Sequence, residues 1–161
     1  MLVTHTFPPV YNCHSKILIL GTIPSPKSRE YGFYYGHPQN RFWKILSAVF
    51  SQPIPETVSE KKDFLLKNQV ALWDVLKSCD IQGAADSSIK KPVLNDFSEI
   101  LYSCQIQNIY ATGQTAGKLL QKHLNTFNNE IPVTVLPSPS AANARYSLPR
   151  LINIYSVIKE N

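Results

Sequence analysis

The sequence Lys16-Ile17-Leu18-Ile19-Leu20-Gly21 is a short, continuously apolar run that stops at a glycine. This length and abrupt stop are typical of a buried strand rather than of an amphipathic helix. Three further segments share the pattern, at 69–74, 108–113 and 132–136. The sequence therefore predicts four short strands.

Helical segments alternate with these strands. After Pro38, which suits a first helical turn because it lacks a backbone N–H, apolar residues recur at helical spacing. This stripe comprises Phe42, Ile45, Leu46 and Val49. Further helices are predicted over 59–68, after a cap at Asn95, over 114–124 and over 147–159. Segment 1–15 is predicted to be an extended lead-in, 21–28 a strand-end turn and 75–94 a surface connection.

Strands that alternate with helices imply right-handed crossovers between parallel strands. We expect an α/β fold of three layers, with a central, mainly parallel four-stranded sheet and helices on both faces, in one domain over 1–161. Ligands of such sheets bind beyond the carboxyl ends of the strands. The loops 21–28, 31–43 and 137–145 are expected to leave from that edge.

Composition limits the partner and the compartment. The 161 residues carry a formal net charge of +5, which suits a polyanion such as DNA, although a merely basic soluble protein fits the charge equally well. No apolar run is long enough for a membrane span, so we expect no membrane partner and a cytoplasmic, or in a prokaryote nucleoid-associated, protein. The three cysteines are widely spaced, which argues against a cysteine-based metal site or a disulfide scaffold.

The segment 31–43 (Tyr-Gly-Phe-Tyr-Tyr-Gly-His-Pro-Gln-Asn-Arg-Phe-Trp) indicates a ligand site. Glycines let a backbone approach a ligand closely, and aromatic rings offer flat faces to a flat ligand. The segment predicts a pocket for a planar base, with the Asn40 amide held at the first turn of a helix. Taken alone, Asn40 fits a helix cap better than a catalytic role, and Tyr34 and Tyr35 fit core packing.

Other catalytic patterns are absent from the sequence. There is no Gly-x-Ser-x-Gly, no phosphate-cradling Gly-Lys-Ser/Thr, and no ligand spacing among the histidines His5, His14, His37 and His123. We expect no metal and no cofactor. Ser138 and Ser140 taken singly fit turn formation beside prolines, and Arg145 fits a solvated charge.

In combination, three segments resemble the uracil-DNA glycosylase superfamily: 20–25 (Leu-Gly-Thr-Ile-Pro-Ser), 36–43 (Gly-His-Pro-Gln-Asn-Arg-Phe-Trp) and 136–143 (Leu-Pro-Ser-Pro-Ser-Ala-Ala-Asn). The resemblance extends over nearly the whole chain, including Leu-Trp-Asp-Val-Leu at 72–76. The mismatch-specific branch also has His-Pro-x-Asn-Arg-Phe-Trp, but it places an asparagine where this chain has Ile23.

The hypoxanthine-DNA glycosylase branch, whose members are DNA-deoxyinosine glycosylases, is more similar. It also lacks the first-motif asparagine, and it carries Tyr-Tyr-Gly-His-Pro-x-Asn-Arg-Phe-Trp and Leu-Pro-Ser-Thr-Ser-Pro-Ala-Asn. This chain has Thr22 and Ile23 where the branch has Ser-Phe, Pro139 where it has Thr, and Ala141 where it has Pro. Leu136 stands where other branches have a histidine that stabilises the departing base. The resemblance implies the superfamily's fold and hydrolysis of an N-glycosidic bond in base excision repair.

The resemblance also implies the site residues. Asn40 would be the catalytic group that orients water, and Tyr35 would stack on an extruded base whose edge faces Gly21, Thr22 and Ile23. The rest of the base pocket would comprise Tyr34, Gly36 and His37. The DNA-binding residues would be Ser25, Lys27 and Ser28 on one loop, and Ser138, Ser140, Ala141, Ala142, Asn143 and Arg145 on another. No lysine lies in these motifs, so a monofunctional, monomeric glycosylase acting on DNA that contains a deaminated base is expected.

Three alternatives remain open from the sequence. A uracil or G:T/G:U mismatch glycosylase would use the same site, although Ile23 speaks against it. A non-catalytic sensor of flipped bases belongs to a different class. A nucleotide-binding protein of flavodoxin-like architecture is the third, and the missing phosphate cradle disfavours it.

Overall fold

The computed structural model describes residues 1–122 and 130–159. Its central sheet has four parallel strands in the order β3-β2-β6-β7. These strands are β2 (Ile17–Gly21), β3 (Val70–Asp74), β6 (Asn108–Thr112) and β7 (Val133–Leu136). All four agree with the sequence prediction to within a residue or two.

The helices cover both faces of this sheet, so the predicted three-layer α/β fold is confirmed. They are α1 (Pro26–Tyr31), α2 (Phe42–Val49), α3 (Val58–Lys67), α4 (Ser98–Ser103), α5 (Gln114–Lys122) and α6 (Leu148–Tyr155), the last followed by a 3-10 helix, Ser156–Ile158. Ile17 and Ile19 of β2 point to a cluster that includes α2, α3 and α6. Leu18 and Leu20 point to the opposite cluster, with α4 and α5.

A second sheet replaces the surface connection that was predicted at 75–94. It is antiparallel, in the order β1-β4-β5, with β1 (Leu2–Thr4), β4 (Leu76–Asp80) and β5 (Lys90–Leu94), and a 3-10 turn at Asp86–Ser88. The prediction was wrong because the β4–β5 pairing shifts register on both sides of Ser78. Such irregularities remove the strict alternation by which a strand is recognised in a sequence. The lead-in is likewise partly a strand.

Three local predictions need correction. Pro38 lies in a turn, and α2 begins later, at Phe42, because the Asn40 side chain accepts the Phe42 N–H at 2.9 Å. Asn95 caps no helix: it is buried, and its amide donates to the Asp74 and Leu76 carbonyls. The predicted strand-end turn at 21–28 contains the start of α1. Residues 123 and 124, at the predicted end of α5, lie outside the described residues, as does His123.

No helix in the two described ranges is long and apolar enough to cross a membrane. The parallel strands all end at one edge of the central sheet, which places Gly21, Asp74, Thr112 and Leu136 side by side in register. That edge carries the candidate site.

Candidate functional site

A cavity of about 1260 Å³ opens at the carboxyl edge of the central sheet. Five segments enclose it: the loop after β2, the aromatic loop before α2, the turn after β4, the turn after β6 and the long loop between β7 and α6. All the residues predicted for the site line this cavity except Lys27 and Gly36. The sequence therefore predicted where the cavity lies, but not every side chain that lines it.

Asn40 is half-buried at the cavity wall, on the turn before α2. Its Oδ1 accepts the Phe42 N–H at 2.9 Å, and its own N–H donates to the His37 carbonyl. One Oδ1 lone pair is therefore used, and a second lone pair and the Nδ2 group remain for a ligand or water. The N-cap residue of α2 is Arg41, so Asn40 is not the cap itself; it lies one residue earlier and accepts the first N–H of the helix. This bond and a role in the site are compatible in one side chain.

Tyr35 presents an aromatic ring to the cavity. Its ring stacks on Phe42, with 3.9 Å between centroids and 12° between planes, which leaves one face for a ligand. Its hydroxyl shares a 2.8 Å hydrogen bond with Thr112 Oγ1 at the end of β6. Burial, followed by the nearby Asp74 carboxylate, raises the pKa of the Tyr35 phenol well above its ordinary value, so the group stays neutral. The residue has φ +53°, a left-handed conformation fixed by these two contacts.

Arg41 ties the helix turn to the β7–α6 loop. Its guanidinium donates to the carbonyls of Pro139, Ser140, Asn143 and Tyr146, and its backbone N–H donates to Pro139 as well. No role was predicted for Arg41, although it lies inside the most specific motif. An arginine that satisfies several carbonyls of one loop fixes that loop's path.

Tyr34 and Gly36, both predicted for the base pocket, have structural roles; for Tyr34 this is the packing role that the residue taken alone suggested. Tyr34 is only 1% exposed, and its hydroxyl donates to the Pro8 carbonyl at 2.9 Å, so it borders the cavity as a packing residue. Its backbone carbonyl accepts the Trp43 indole N–H at 3.1 Å. The Gly36 N–H donates to Ser28 Oγ, so Gly36 packs against α1 instead of facing the cavity.

Asp74 forms a polar patch on the cavity floor, and no role was predicted for it. It is 4% exposed and ends β3. His5, on the N-terminal arm, holds its Oδ2 through Nε2 at 2.8 Å, and the Gly21 backbone also bonds the carboxylate. Burial raises the pKa of Asp74, while these two partners act in the opposite direction. A lone buried acid that directly follows an apolar strand is the signal that could have found it.

Only glycine fits at position 21, because the side chains of the cavity floor lie very close to its Cα. A Cβ at Gly21 would lie 2.5 Å from Asp74 Oδ1 and 2.8 Å from the Tyr35 hydroxyl. No side chain fits there, so the backbone of the first motif lies directly against the acid and the phenol. The Gly21 and Thr22 carbonyls accept the Val75 and Leu76 N–H groups, which fixes the path of this turn against the end of β3.

The predicted DNA contacts before and within α1 differ in availability. Ser25 caps α1 by accepting the Ser28 N–H at 3.1 Å, and it is half-buried at the cavity. Ser28 is 3% exposed, and its hydroxyl holds Gly36 and Ser25, so it is occupied within the protein. Lys27 is exposed outside the cavity and pairs with Glu30 at 3.3 Å.

The loop between β7 and α6 is held from within and exposed at its tip. Ser138 Oγ accepts the Ser140 N–H, Ser140 Oγ accepts the Ala142 N–H, and the Asn143 amide donates to the Ser138 carbonyl. The exposed residues at the tip of the loop are Ala141, Ala142, Ala144 and Arg145. A rigid loop with small side chains at its tip can enter a narrow gap.

Among the described residues there is no cluster of three or more His, Cys, Asp or Glu that could hold a metal ion. What the cavity offers is an aromatic face, a carboxylate acceptor, a carboxamide and backbone donors. Such a set can bind a flat heterocycle and orient one water molecule.

The chain is similar to known proteins along most of its length. A sequence model of the Uracil DNA glycosylase superfamily matches residues 8–156. A protein named hypoxanthine DNA glycosylase from Methanosarcina acetivorans is 35% identical over 148 residues, covering 91% of this chain and 92% of that protein. One of the same name from Methanosarcina barkeri is 37% identical over 93 residues, 57% of this chain and 59% of that protein.

The fold is likewise similar to that of a solved structure. A solution NMR structure of a candidate uracil DNA glycosylase from Methanosarcina acetivorans superposes with a TM-score of 0.81. That protein is 30% identical to this chain, and the match covers 99% of each.

Proposed function

The chain belongs to the uracil-DNA glycosylase superfamily, and on that basis we propose that it is a monofunctional DNA glycosylase that releases hypoxanthine from deoxyinosine. It is a DNA glycosylase that acts on deaminated bases; the choice of hypoxanthine is the finer part of the proposal. The observation that carries this choice is the cavity floor, where the Asp74 carboxylate and the Tyr35 hydroxyl both lie close to Gly21. The two curated relatives that are named hypoxanthine DNA glycosylases support it.

Base recognition follows from the donors and acceptors on this floor. An ionised carboxylate only accepts hydrogen bonds, so Asp74 would accept the N1–H of hypoxanthine. Adenine has an acceptor at N1 and would leave two acceptors facing each other, which is a strongly unfavourable arrangement in a buried pocket. The free face of Tyr35 would stack on the purine, and backbone N–H groups of Thr22 and Ile23 would face its edge.

The hydrolytic step requires extrusion of the nucleotide, since a stacked base cannot reach the cavity. The C1′–N9 bond then breaks, its electron pair leaves with the base, and the sugar becomes oxocarbenium-like. Asn40 would hold a water whose oxygen bonds to C1′, while the released base takes up a proton. An amide is too weak a base to ionise water, so its contribution is orientation. Donors near the base stabilise its developing negative charge.

DNA binding would use the two loops that border the cavity. Ser25 and the loop around Ser138 and Ser140 would contact phosphates, and Ala141-Ala142 would fill the gap left by the extruded base. His37 would border the base and Asn143 would support the loop. Arg145 is exposed beside the tip and would contact the DNA backbone. Lys27 would contribute at longer range than the residues on the cavity wall.

The form and place of action are further parts of the proposal. We propose one domain over 1–161, because both hydrophobic clusters pack on the same central sheet. We propose a monomer, a cytoplasmic location and DNA containing a deaminated base as its partner, with no membrane and no cofactor. Light scattering of the purified protein with and without a duplex tests the monomer.

Base release from a panel of duplexes tests the function. Labelled duplexes carry hypoxanthine, uracil, xanthine or a G:T mismatch, and alkali cleaves any abasic site. The proposal predicts the fastest single-turnover release from hypoxanthine duplexes and no strand cleavage before alkali. Faster release of uracil or mismatched thymine would show that the substrate is one of these bases instead of hypoxanthine. Binding without base release from any duplex would show that the protein is a non-catalytic sensor.

A further inference from the structure

The N-terminal arm places a histidine behind the cavity floor. His5 directly follows β1, and its backbone N–H donates to the Lys77 carbonyl of β4 at 2.7 Å. Its side chain is 2% exposed and bonds Asp74 Oδ2 at 2.8 Å. His5 does not line the cavity, whereas Asp74 does. The histidine can therefore act on a bound base only through Asp74.

Aromatic rings fix the His5 ring on three sides. The ring centroids of Phe7, Tyr34 and Trp73 lie 5.9, 5.7 and 6.3 Å from that of His5. This packing restricts the ring to an orientation in which Nε2 meets the carboxylate. A carboxylate has about four lone-pair sites, so His5 and the Gly21 backbone leave sites on Asp74 for a base.

We propose that His5 is a positioning residue that keeps Asp74 ionised and oriented as the acceptor for the N–H of the base, an inference that rests on the proposed function. A protonated Asp74 would donate instead of accept and would no longer distinguish hypoxanthine from adenine. The purine selectivity of this site would thus depend on a residue of the N-terminal arm, far from the three motifs in sequence.

The charged state of Asp74 depends on few groups. The titratable side chains that the structure places against it are His5, Tyr34 and Tyr35, and burial keeps both phenols neutral at ordinary pH. Burial raises the pKa of Asp74 and His5 opposes that rise. Loss of His5 therefore shifts the acid limb of activity to higher pH, because Asp74 then stays protonated over more of the range.

The test measures single-turnover release of hypoxanthine against pH for the wild type, His5→Ala and His5→Gln, with His14→Gln as a matched control. His14 is exposed and has no predicted role. His5→Ala should lose about 10- to 100-fold at neutral pH, the range for a hydrogen bond to a charged group, and regain part of it as the pH rises. His5→Gln retains a hydrogen-bond donor, so its rate should lie between those of the wild type and His5→Ala.

Circular dichroism of each variant ensures that only folded proteins are compared, and His5→Gln decides the matter if His5→Ala does not fold. A folded His5→Gln with the wild-type pH profile would overturn the inference and leave the proposed function intact. A wild type that releases no base from any duplex would overturn both. Unchanged kinetics of His14→Gln would show that the effect belongs to His5.

A second groove carries an independent inference about DNA binding. It has a volume of about 490 Å³ and lies between β5 and α5. Four of its lining residues are lysines: Lys90, Lys91, Lys118 and Lys122. All four are exposed, and in the described parts of the chain none of them forms a salt bridge.

The groove adjoins the base cavity. Asp86 lines both, and its carboxylate accepts a hydrogen bond from Thr115, a partner inside the groove. Four lysines and this one aspartate give the groove a formal charge of +4 − 1 = +3. A polyanion that enters the cavity with one nucleotide would therefore meet a surface of net positive charge beside it.

The geometry points to this lysine groove as the binding site for phosphates of the same DNA duplex, to one side of the extruded nucleotide. Its ligand class is the phosphodiester backbone, bound without sequence preference. Contacts of this kind add affinity and leave the chemical step unchanged, because they are equally strong in the ground and transition states.

The test compares two triple variants with equal loss of charge. One carries Lys90→Gln, Lys118→Gln and Lys122→Gln; Lys91 is kept because its φ of +52° would add a backbone effect. The control carries Lys16→Gln, Lys67→Gln and Lys159→Gln, exposed residues at the amino edge of the sheet. Affinity is measured against salt for a long duplex and for a short one that ends beside the lesion, each with a hydrolysis-resistant 2′-fluoroarabino inosine.

On the long duplex, the slope of log affinity against log salt should be smaller in magnitude by about 2 to 3 for the groove variant, because each of its three lost phosphate contacts lowers that slope by about 0.9. On the short duplex it should match the wild type, and its single-turnover rate at saturating deoxyinosine DNA should not change. Equal salt slopes for the two triple variants would show that only the net charge of the protein matters. A wild-type salt slope for the groove variant would show that the groove does not contact the DNA. Either outcome overturns the inference.

Discussion

Four consecutive side chains at the start of α2 have four different partners. Asn40 faces the cavity, Arg41 holds the β7–α6 loop, Phe42 lies under Tyr35, and Trp43 donates to the Tyr34 carbonyl. The sequence indicated an aromatic ring and an amide at the cavity, because residue type alone suggests those roles. It could not indicate the role of Arg41. The acceptors of Arg41 are backbone carbonyls about a hundred residues away, and because every residue has a backbone carbonyl, no residue type marks them in the sequence.

Arg41→Lys should loosen the β7–α6 loop without removing the positive charge. A lysine offers a single ammonium in place of the guanidinium fork, so several of the four carbonyls lose their partner. We expect a stability loss of about 2–4 kcal/mol and weaker binding to the deoxyinosine duplex. Urea unfolding and DNA titration measure these effects. Wild-type stability together with wild-type binding would show that the loop does not depend on this arginine.

Asp74 should make stability fall as the pH rises. Burial raises its pKa in the folded state above the value in the unfolded chain, so the folded protein binds the proton more tightly there. This contribution is present at low pH and is lost as pH rises through the folded-state value. Asp74→Asn removes it, so urea unfolding should give a smaller stability difference between acidic and neutral pH for the variant. An identical pH dependence would show that Asp74 is not the group responsible.

At the scale of the elements, patterns that persist along a segment were predictable and interrupted patterns were not. The four parallel strands were found because they are buried on both faces and read as continuous apolar runs. The β4–β5 hairpin was missed because its bulges break the alternation and β5 is mostly exposed. The β1 strand is three residues long, too short for any period to show.

The contact between α5 and β7 depends on the absence of a side chain at Gly117. A Cβ there would lie 2.6 Å from Val135 Cγ2, and valine has little freedom to move. Gly117→Ala should therefore destabilise the fold by about 1–3 kcal/mol despite the better helix propensity of alanine. Adding Val135→Ala should restore part of that loss. Destabilisation by Gly117→Ala that the second change leaves untouched would place the strain elsewhere.

For the whole molecule, the parallel topology explains why distant segments share one site. Every strand of the central sheet ends at the same edge, so motifs separated by up to about a hundred residues meet there. The sequence predicted this edge and most of the cavity lining. It missed Asp74 and His5, because the pairing of an acid with a histidine of the N-terminal arm arises only when the second sheet packs behind the first.

The whole molecule should bind DNA with a strong dependence on salt. The net charge of +5 and the exposed lysines provide phosphate contacts, and each contact releases counterions from the duplex. Titration of a fluorescent duplex at several salt concentrations should give a linear, negative slope of log affinity against log salt. A flat response would argue against a phosphate-binding surface of this kind.

The most direct test of the account separates the two uses of the Asn40 side chain. Asn40→Ala removes both the acceptor that caps the Phe42 N–H at the start of α2 and the carboxamide, whereas Asn40→Ser keeps an acceptor for the Phe42 N–H and loses only the carboxamide. Single-turnover release of hypoxanthine is measured for both variants, with Asn153→Ala on the exposed face of α6 as the control. The account predicts that both Asn40 variants fold and that both lose about 100-fold or more, since water orientation is gone in each. Recovery of near wild-type release in Asn40→Ser would contradict it, because the cap alone would then account for Asn40.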